Sequence, residues 1–103
     1  MAVMKDLIEE GVLAEAAECL KVIAHPDRLR IVEILARKAL AVHEVAQVCG
    51  LAHAAACGHL RLLKGHGLLD SARSGRSVTY SIADKRLPQI VNCIRAGCRK
   101  AKR

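Results

Sequence analysis

Residues 42–82 read VHEVAQVCGLAHAAACGHLRLLKGHGLLDSARSGRSVTYSI, and this stretch decides the fold. Val42, Val45 and Val48 recur every third residue, which predicts a short helix over 42–48 with one apolar face. Cys49-Gly50 ends it, glycine supplying the left-handed turn. A second helix is predicted over 52–64, with Ala56, Leu60 and Leu63 inward and Gly65 and Gly67 closing it. Two short helices joined by a tight glycine-containing turn make a helix-turn-helix, a pattern that many helical bundles share. The segment after Gly67 narrows the choice. Leu68–Ala72 and Ser77–Ile82 read as short strands, with Val78, Tyr80 and Ile82 on one face. Between them Arg73-Ser74-Gly75-Arg76 is a turn centred on glycine and flanked by arginines, so the hairpin reads as a basic wing.

Working outward, residues 4–23 form an amphipathic pattern, interrupted near Gly11. Leu13, Ala16, Ala17, Leu20 and Ile23 lie opposite Glu15, Glu18 and Lys21. His25-Pro26 stops that helix, because the residue before proline avoids the helical region. Pro26 then starts the next, where its missing N–H costs nothing. This helix, 27–38, buries Leu29, Val32, Leu35 and Ala36. Downstream, the last helix starts near Asp84 as N-cap, tolerates Pro88 in or beside its first turn, and runs to about Gly97. The basic tail Arg99–Arg103 is expected to fray. The expected fold is mostly α with a small β-hairpin wing, about five helices and two strands. It spans residues 1–103 as one domain.

Hydrophobic residues make up 52% of the 103, nearly all of them aliphatic, and Tyr80 is the one aromatic. So much aliphatic surface on a small chain points to a second copy that covers part of it. Residues 1–50 carry eight acidic and six basic side chains, whereas 51–103 carry two and eleven. Such one-sidedness suits a polyanion partner, and a solvated basic face has the same look. No apolar run reaches the roughly 18–20 residues that cross a bilayer, and the acidic start is unlike a signal peptide. A cytoplasmic chain is expected. Five cysteines, without CxxC spacing, fit reduced thiols better than a disulfide framework or a zinc ribbon. No Ser/His/Asp order, paired carboxylates or glycine-rich phosphate loop stands out, so no enzyme is expected.

The chain resembles the ArsR/SmtB family of small bacterial repressors. The matching words are Ala24-His25-Pro26-Asp27-Arg28-Leu29-Arg30-Ile31, Val42-His43-Glu44-Val45-Ala46, Gly50-Leu51, His59-Leu60-Arg61-Leu62-Leu63-Lys64, Gly67-Leu68-Leu69, and Gly75-Arg76 followed by Tyr80. Their order and spacing extend over about residues 12–100. The resemblance implies a winged helix-turn-helix dimer, with 1–23 and 84–100 as dimerisation helices, 42–64 as helix-turn-helix and 68–82 as wing. It also implies repression of a nearby operon, released by a metal ion or a small reactive species.

In that frame the 52–64 helix enters the major groove of a pseudo-palindromic operator, N-terminal end first. The DNA-contacting set is His53, Ala54, Ala55, His59, Arg61 and Lys64 on the helix, with Arg73 and Arg76 on the wing. Relatives usually carry serine, threonine and glutamine at the start of this helix. This chain has Ala52-His53-Ala54-Ala55-Ala56-Cys57-Gly58 instead, losing a cap worth roughly 1 kcal/mol. Phosphate contacts, wing arginines and DNA shape are therefore expected to outweigh base hydrogen bonds. His59 reads either as a phosphate contact or as a structural histidine. A winged-helix protein-interaction module without operator recognition is the alternative reading.

The family's ligand sites are poorly represented. The third-helix cysteine pair aligns with Ala41 and His43, and a lone histidine does not chelate. Asp84 is followed by Lys85 and Arg86, with no histidine beyond residue 66, so the last-helix zinc site is missing. The paired cysteines near the recognition helix's end align with Leu62 and His66. What remains is Cys19, Cys93 and Cys98 on the first and last helices, a thiol set suited to a soft metal, to a metalloid such as arsenite, or to thiol modification. In the bridge-forming branch the partner cysteine falls on the second helix, where this chain has Glu33. Buried interfacial thiols are the plainer reading of Cys19 and Cys93. Cys49 and Cys57 are expected to be structural, Cys57 facing DNA or the turn. No cofactor is required.

Overall fold

The computed structural model describes residues 4–97. The elements run α1 (Glu10–Ile23), α2 (Pro26–Leu35), β1 (Leu40–Ala41), α3 (Val42–Cys49), α4 (His53–Gly65), β2 (Leu69–Ser74), β3 (Ser77–Ile82) and α5 (Leu87–Gly97). Five helices surround a three-stranded antiparallel sheet of order β1-β3-β2. The winged helix-turn-helix is as expected, with one strand more. β1 is only two residues long and pairs Leu40 with Tyr80 and Ala41 with Thr79, stitching the start of α3 to the middle strand.

Several boundaries differ for identifiable reasons. α1 begins at Glu10, not at residue 4, because Asp6 takes a left-handed φ of 61° that a helix cannot contain. α2 stops at Leu35 rather than 38. The Arg37 N–H donates to the Ile34 carbonyl at 3.1 Å, tightening the exit so that the chain reaches β1, and this leaves Ala36 exposed. In α3 the inward face is Val42, Val45, Ala46 and Cys49, spaced i, i+3, i+4 and i+7. Val48 falls to one side and is 61% exposed. β2 runs to Ser74, so Arg73 belongs to the strand and the loop is only Gly75-Arg76. Gly75, at φ 61°, supplies the positive φ that a two-residue hairpin loop needs at its first position.

α5 starts at Leu87, three residues after its anticipated cap. The Asp84 carboxylate instead accepts from the Arg86 backbone N–H at 3.0 Å and from its guanidinium at 3.0 and 2.9 Å. The Arg86 side chain, helped by that N–H, holds the Asp84 carboxyl down at about 2. A carboxylate with a lowered folded value stabilises above its unfolded pKa, and loses that stabilisation as pH falls through about 2. Asp84→Asn is therefore expected to cost no more than about 1 kcal/mol at neutral pH, since Arg86 is solvent-exposed. The difference from wild type should vanish between about pH 4 and pH 2 in urea-melt series.

Ile31, Val45, Ala56, Leu60 and Leu63 have no exposed surface, so the core joins α2, α3 and α4 and continues onto Leu69 and Tyr80 of the sheet and Leu87 of α5. Glu33 of α2 ties α5 down through Arg95 Nη2 at 2.9 Å and also pairs with Arg30. Arg30, with Arg95 adding to it, holds the Glu33 carboxyl below its usual range. α1 takes little part. Ile23 is its one buried residue, and Leu13 and Leu20 of its apolar stripe are 51% and 54% exposed. The radius of gyration, 16.1 Å, exceeds the about 13 Å of a compact chain of this length.

Candidate nucleic-acid interface

Ala46 and Gly50 set the angle between α3 and α4. Gly50 adopts a left-handed φ of 67°, and the Leu51 N–H returns to the Ala46 carbonyl at 2.9 Å. At the other end of α3, Glu44 accepts from the Ala41 N–H at 2.9 Å, half of a capping box that alanine cannot complete. Ala52 stands at the N-cap of α4 without a side-chain hydrogen bond, so the first-turn N–H groups stay open to an anion. Ala56, Leu60 and Leu63 anchor the helix inward as anticipated. Ala54, Ala55, Arg61 and Lys64 are exposed on it.

His53, Cys57 and Arg61, four residues apart in turn, form one stripe of α4 that faces the wing. With Arg76, Ser77, Val78 and Tyr80 of the wing and Ala41–His43 at the start of α3, they line a cleft of about 260 Å³. The structure thus brings Arg61 and Arg76 to one groove-shaped surface. Arg73 is exposed on β2, opposite Val78. Cys57, expected to face DNA or the turn, lines this cleft, and so does His43, which sequence reasoning placed only in an incomplete third-helix metal site. The i, i+4, i+8 stripe from His53 was the available signal for Cys57.

His59 faces away from this surface. Its Nδ1 accepts from Arg28 Nε at 3.1 Å, Arg28 also donates to the Val22 carbonyl at 2.9 Å, and the ring lies 4.8 Å from that of His25. Burial, then Arg28 and His25, push the His59 pKa down. His25, Asp27 and His59 bring their donor atoms within 4.8 Å of one another. They nevertheless suit a metal poorly. The Nδ1 atoms are already accepting, His25 from the Asp27 N–H at 3.1 Å and His59 from Arg28, so each neutral ring carries its proton on the remaining nitrogen. Metal-bound histidines donate through that second nitrogen, the reverse of what is seen here. The cluster joins α2 to α4.

Cys19 is half-buried on α1 and Cys93 is exposed on α5. Cys98 and the tail Arg99–Arg103 lie outside the described residues. Among those described, no helix is long and apolar enough to cross a membrane.

A helix-turn-helix domain model matches residues 23–72. The chain is 36% identical over 80 residues to the transcriptional repressor SmtB of Mycobacterium tuberculosis, covering 78% of this chain and 59% of that one. It is 32% identical over 88 residues to the cadmium resistance regulatory protein CadC homologue of Staphylococcus aureus, covering 84% and 72%. The solved homodimeric winged helix-turn-helix DNA-binding domain Mb0332 of Mycobacterium bovis, described as a possible ArsR-family regulator, superposes with a TM-score of 0.79 at 25% identity. It covers 96% of this chain and 94% of that domain.

Proposed function

The chain belongs to the ArsR/SmtB family of winged helix-turn-helix transcriptional repressors, and from that premise we propose that it binds a pseudo-palindromic operator as a homodimer. α4 lies in the major groove, the wing contacts the flanking backbone or minor groove, and α1 with α5 joins the two protomers. The observation that carries this reading is the convergence of Arg61 from α4 and Arg76 from the wing on one cleft. Arg73 and Lys64 extend the same basic surface along the duplex, and the bare start of α4 adds backbone N–H groups for a phosphate. His59 acts from behind, holding α4 against α2.

Release by a thiol-directed signal is supported by Cys93, exposed on α5, and Cys19, half-buried on α1, with Cys98 as the further member of the set. A soft metal, a metalloid or an oxidant at these thiols acts on the helices that orient the two protomers. The position that would hold a bridging cysteine on α2 carries Glu33, and its ion pair with Arg95 already links α2 to α5. In a bridge to Cys98, Cys19 of α1 or Cys93 of α5 takes the place of that missing partner.

The test is duplex binding to the DNA upstream of the chain's own gene, titrated at several salt concentrations. Specific binding should weaken about 10³- to 10⁵-fold between about 50 and 200 mM salt if six to ten phosphates are neutralised. Affinity that is indifferent to salt and to competitor DNA would leave the interaction-module reading in its place.

A further inference from the structure

One guanidinium ties α1 to α4. Arg28 of α2 donates through Nη1 to the Val22 carbonyl near the end of α1 at 2.9 Å, and through Nε to His59 Nδ1 of α4 at 3.1 Å. Among the described residues, no other side-chain hydrogen bond joins α1 or α4 to a different element. Ile23 is the one buried residue of α1, so that helix has little apolar grip to add. The acceptor in the tie is a titratable nitrogen. Around its ring stand Arg28 and Asp27 of α2 and His25, which caps α2. Its α4 neighbours one turn away, Ala55, Ala56, Leu62 and Leu63, carry no charge, and α1 contributes the Val22 carbonyl. Burial, with Asp27 adding to it, pushes the Cys49 thiol of α3 up, so that group stays neutral.

We propose that Arg28 and His59 are positioning residues for operator binding, and that a proton taken from solvent by His59 breaks their contact and weakens the grip on DNA. With Nδ1 protonated, two N–H donors and two positive charges face each other across the present 3.1 Å, so the contact opens. The Asp27 carboxylate, 3.9 Å from His59 Nε2, is beyond hydrogen-bond reach and compensates little. Burial first, then Arg28 and His25, push the His59 pKa below its usual 6.5, against a smaller opposing pull from Asp27. A histidine with a lowered folded value stabilises fully above its unfolded value. That stabilisation falls away as pH drops from about 6.5 through the lowered value. α4 then keeps its apolar anchors, Ala56, Leu60 and Leu63, but loses the link that fixes it relative to α1. Ordinary charge effects have the opposite sign. His43, His53 and His66 are exposed, and their protonation adds positive charge that strengthens duplex binding in acid. The consequence for DNA rests on the operator-binding reading, whereas the latch itself stands without it.

Proton NMR of the histidine rings in the full, reduced chain without DNA tests the latch. His59 is expected to titrate at lower pH than in the urea-unfolded chain, and Arg28→Met should move it upward. Gel shift with the duplex upstream of the chain's own gene, at constant moderate salt, tests the consequence. Wild type should bind at least about fivefold more weakly at about pH 5.5 than at about pH 7.5, with its helix content unchanged by circular dichroism. His59→Asn offers an amide oxygen that accepts from Arg28 and takes up no proton, so it should reverse the trend and bind more tightly in acid. Arg28→Met should be weaker than wild type by at least about fivefold already at about pH 7.5. A His59 ring that titrates as in the unfolded chain overturns the latch, and so does acid weakening that persists in His59→Asn. A latch that titrates as expected while wild-type binding strengthens in acid overturns the positioning role. The expected titration with no duplex binding at either pH overturns the operator reading and leaves the latch standing.

Discussion

Replacing Leu13 and Leu20 together by glutamate is expected to give a folded monomer whose affinity for a two-half-site operator falls by about 10²- to 10⁴-fold. Both side chains are half exposed and lie outside the core, so their loss leaves α2, α3, α4 and the sheet packed as before. What they form is an uncovered apolar stripe. Among the described residues, six of the eight large hydrophobics that remain exposed fall between Met4 and Leu20. A monomeric protein rarely leaves so contiguous a patch in water, and in the proposed homodimer a second copy of α1 is the self-complementary cover expected from two-fold symmetry. Linking two half-site readers turns the second binding event into an intramolecular one, which is the origin of the large factor. Sedimentation should report the loss of the dimer, circular dichroism an unchanged helix content, and gel shift the weakened binding. A variant that stays dimeric would place the interface elsewhere.

The second large effect concerns the wing. Arg73→Ala/Arg76→Ala is expected to lower operator affinity by about 10- to 100-fold at moderate salt, and to reduce the slope of log K against log salt by about 2 per protomer. Arg76 occupies the two-residue loop and Arg73 the strand beside it, both exposed. Neither is tied to an acidic partner among the ion pairs of the described residues. Truncating them therefore removes charge without orphaning a partner, and the thermal midpoint should hardly move. Binding equal to wild type in that range would take the wing out of the mechanism.

The deepest parts of the molecule were the most legible. Ala56, Leu60 and Leu63 sit at helical spacing and are fully buried, and β3 begins and ends where its alternation does. Periodicity reports burial directly, so pattern alone suffices for these. β1 was not legible, because two residues carry no period and their partners, Thr79 and Tyr80, are remote in sequence. The start of α1 departs from its pattern for a different reason. Met4, Leu7 and Ile8 continue the apolar rhythm, but the backbone at Asp6 does not continue the helix. At the interface, Arg61 and Arg76 could be named from order and spacing, whereas their meeting in one cleft depends on how the hairpin folds back beside α4. The same fold-back gives Cys57 and His43 a common environment, although by pattern one reads as structural and the other as an isolated ligand.

Tyr80 is the chain's sole tyrosine, in a sequence without tryptophan or phenylalanine, and it is both buried in the sheet and part of the cleft wall. Its phenol is consequently the one intrinsic fluorophore, seated beside the very surface whose occupancy matters. Emission from the unlabelled protein reports that single spot with no background from elsewhere. The same scarcity makes near-ultraviolet absorbance a weak gauge of concentration for this chain.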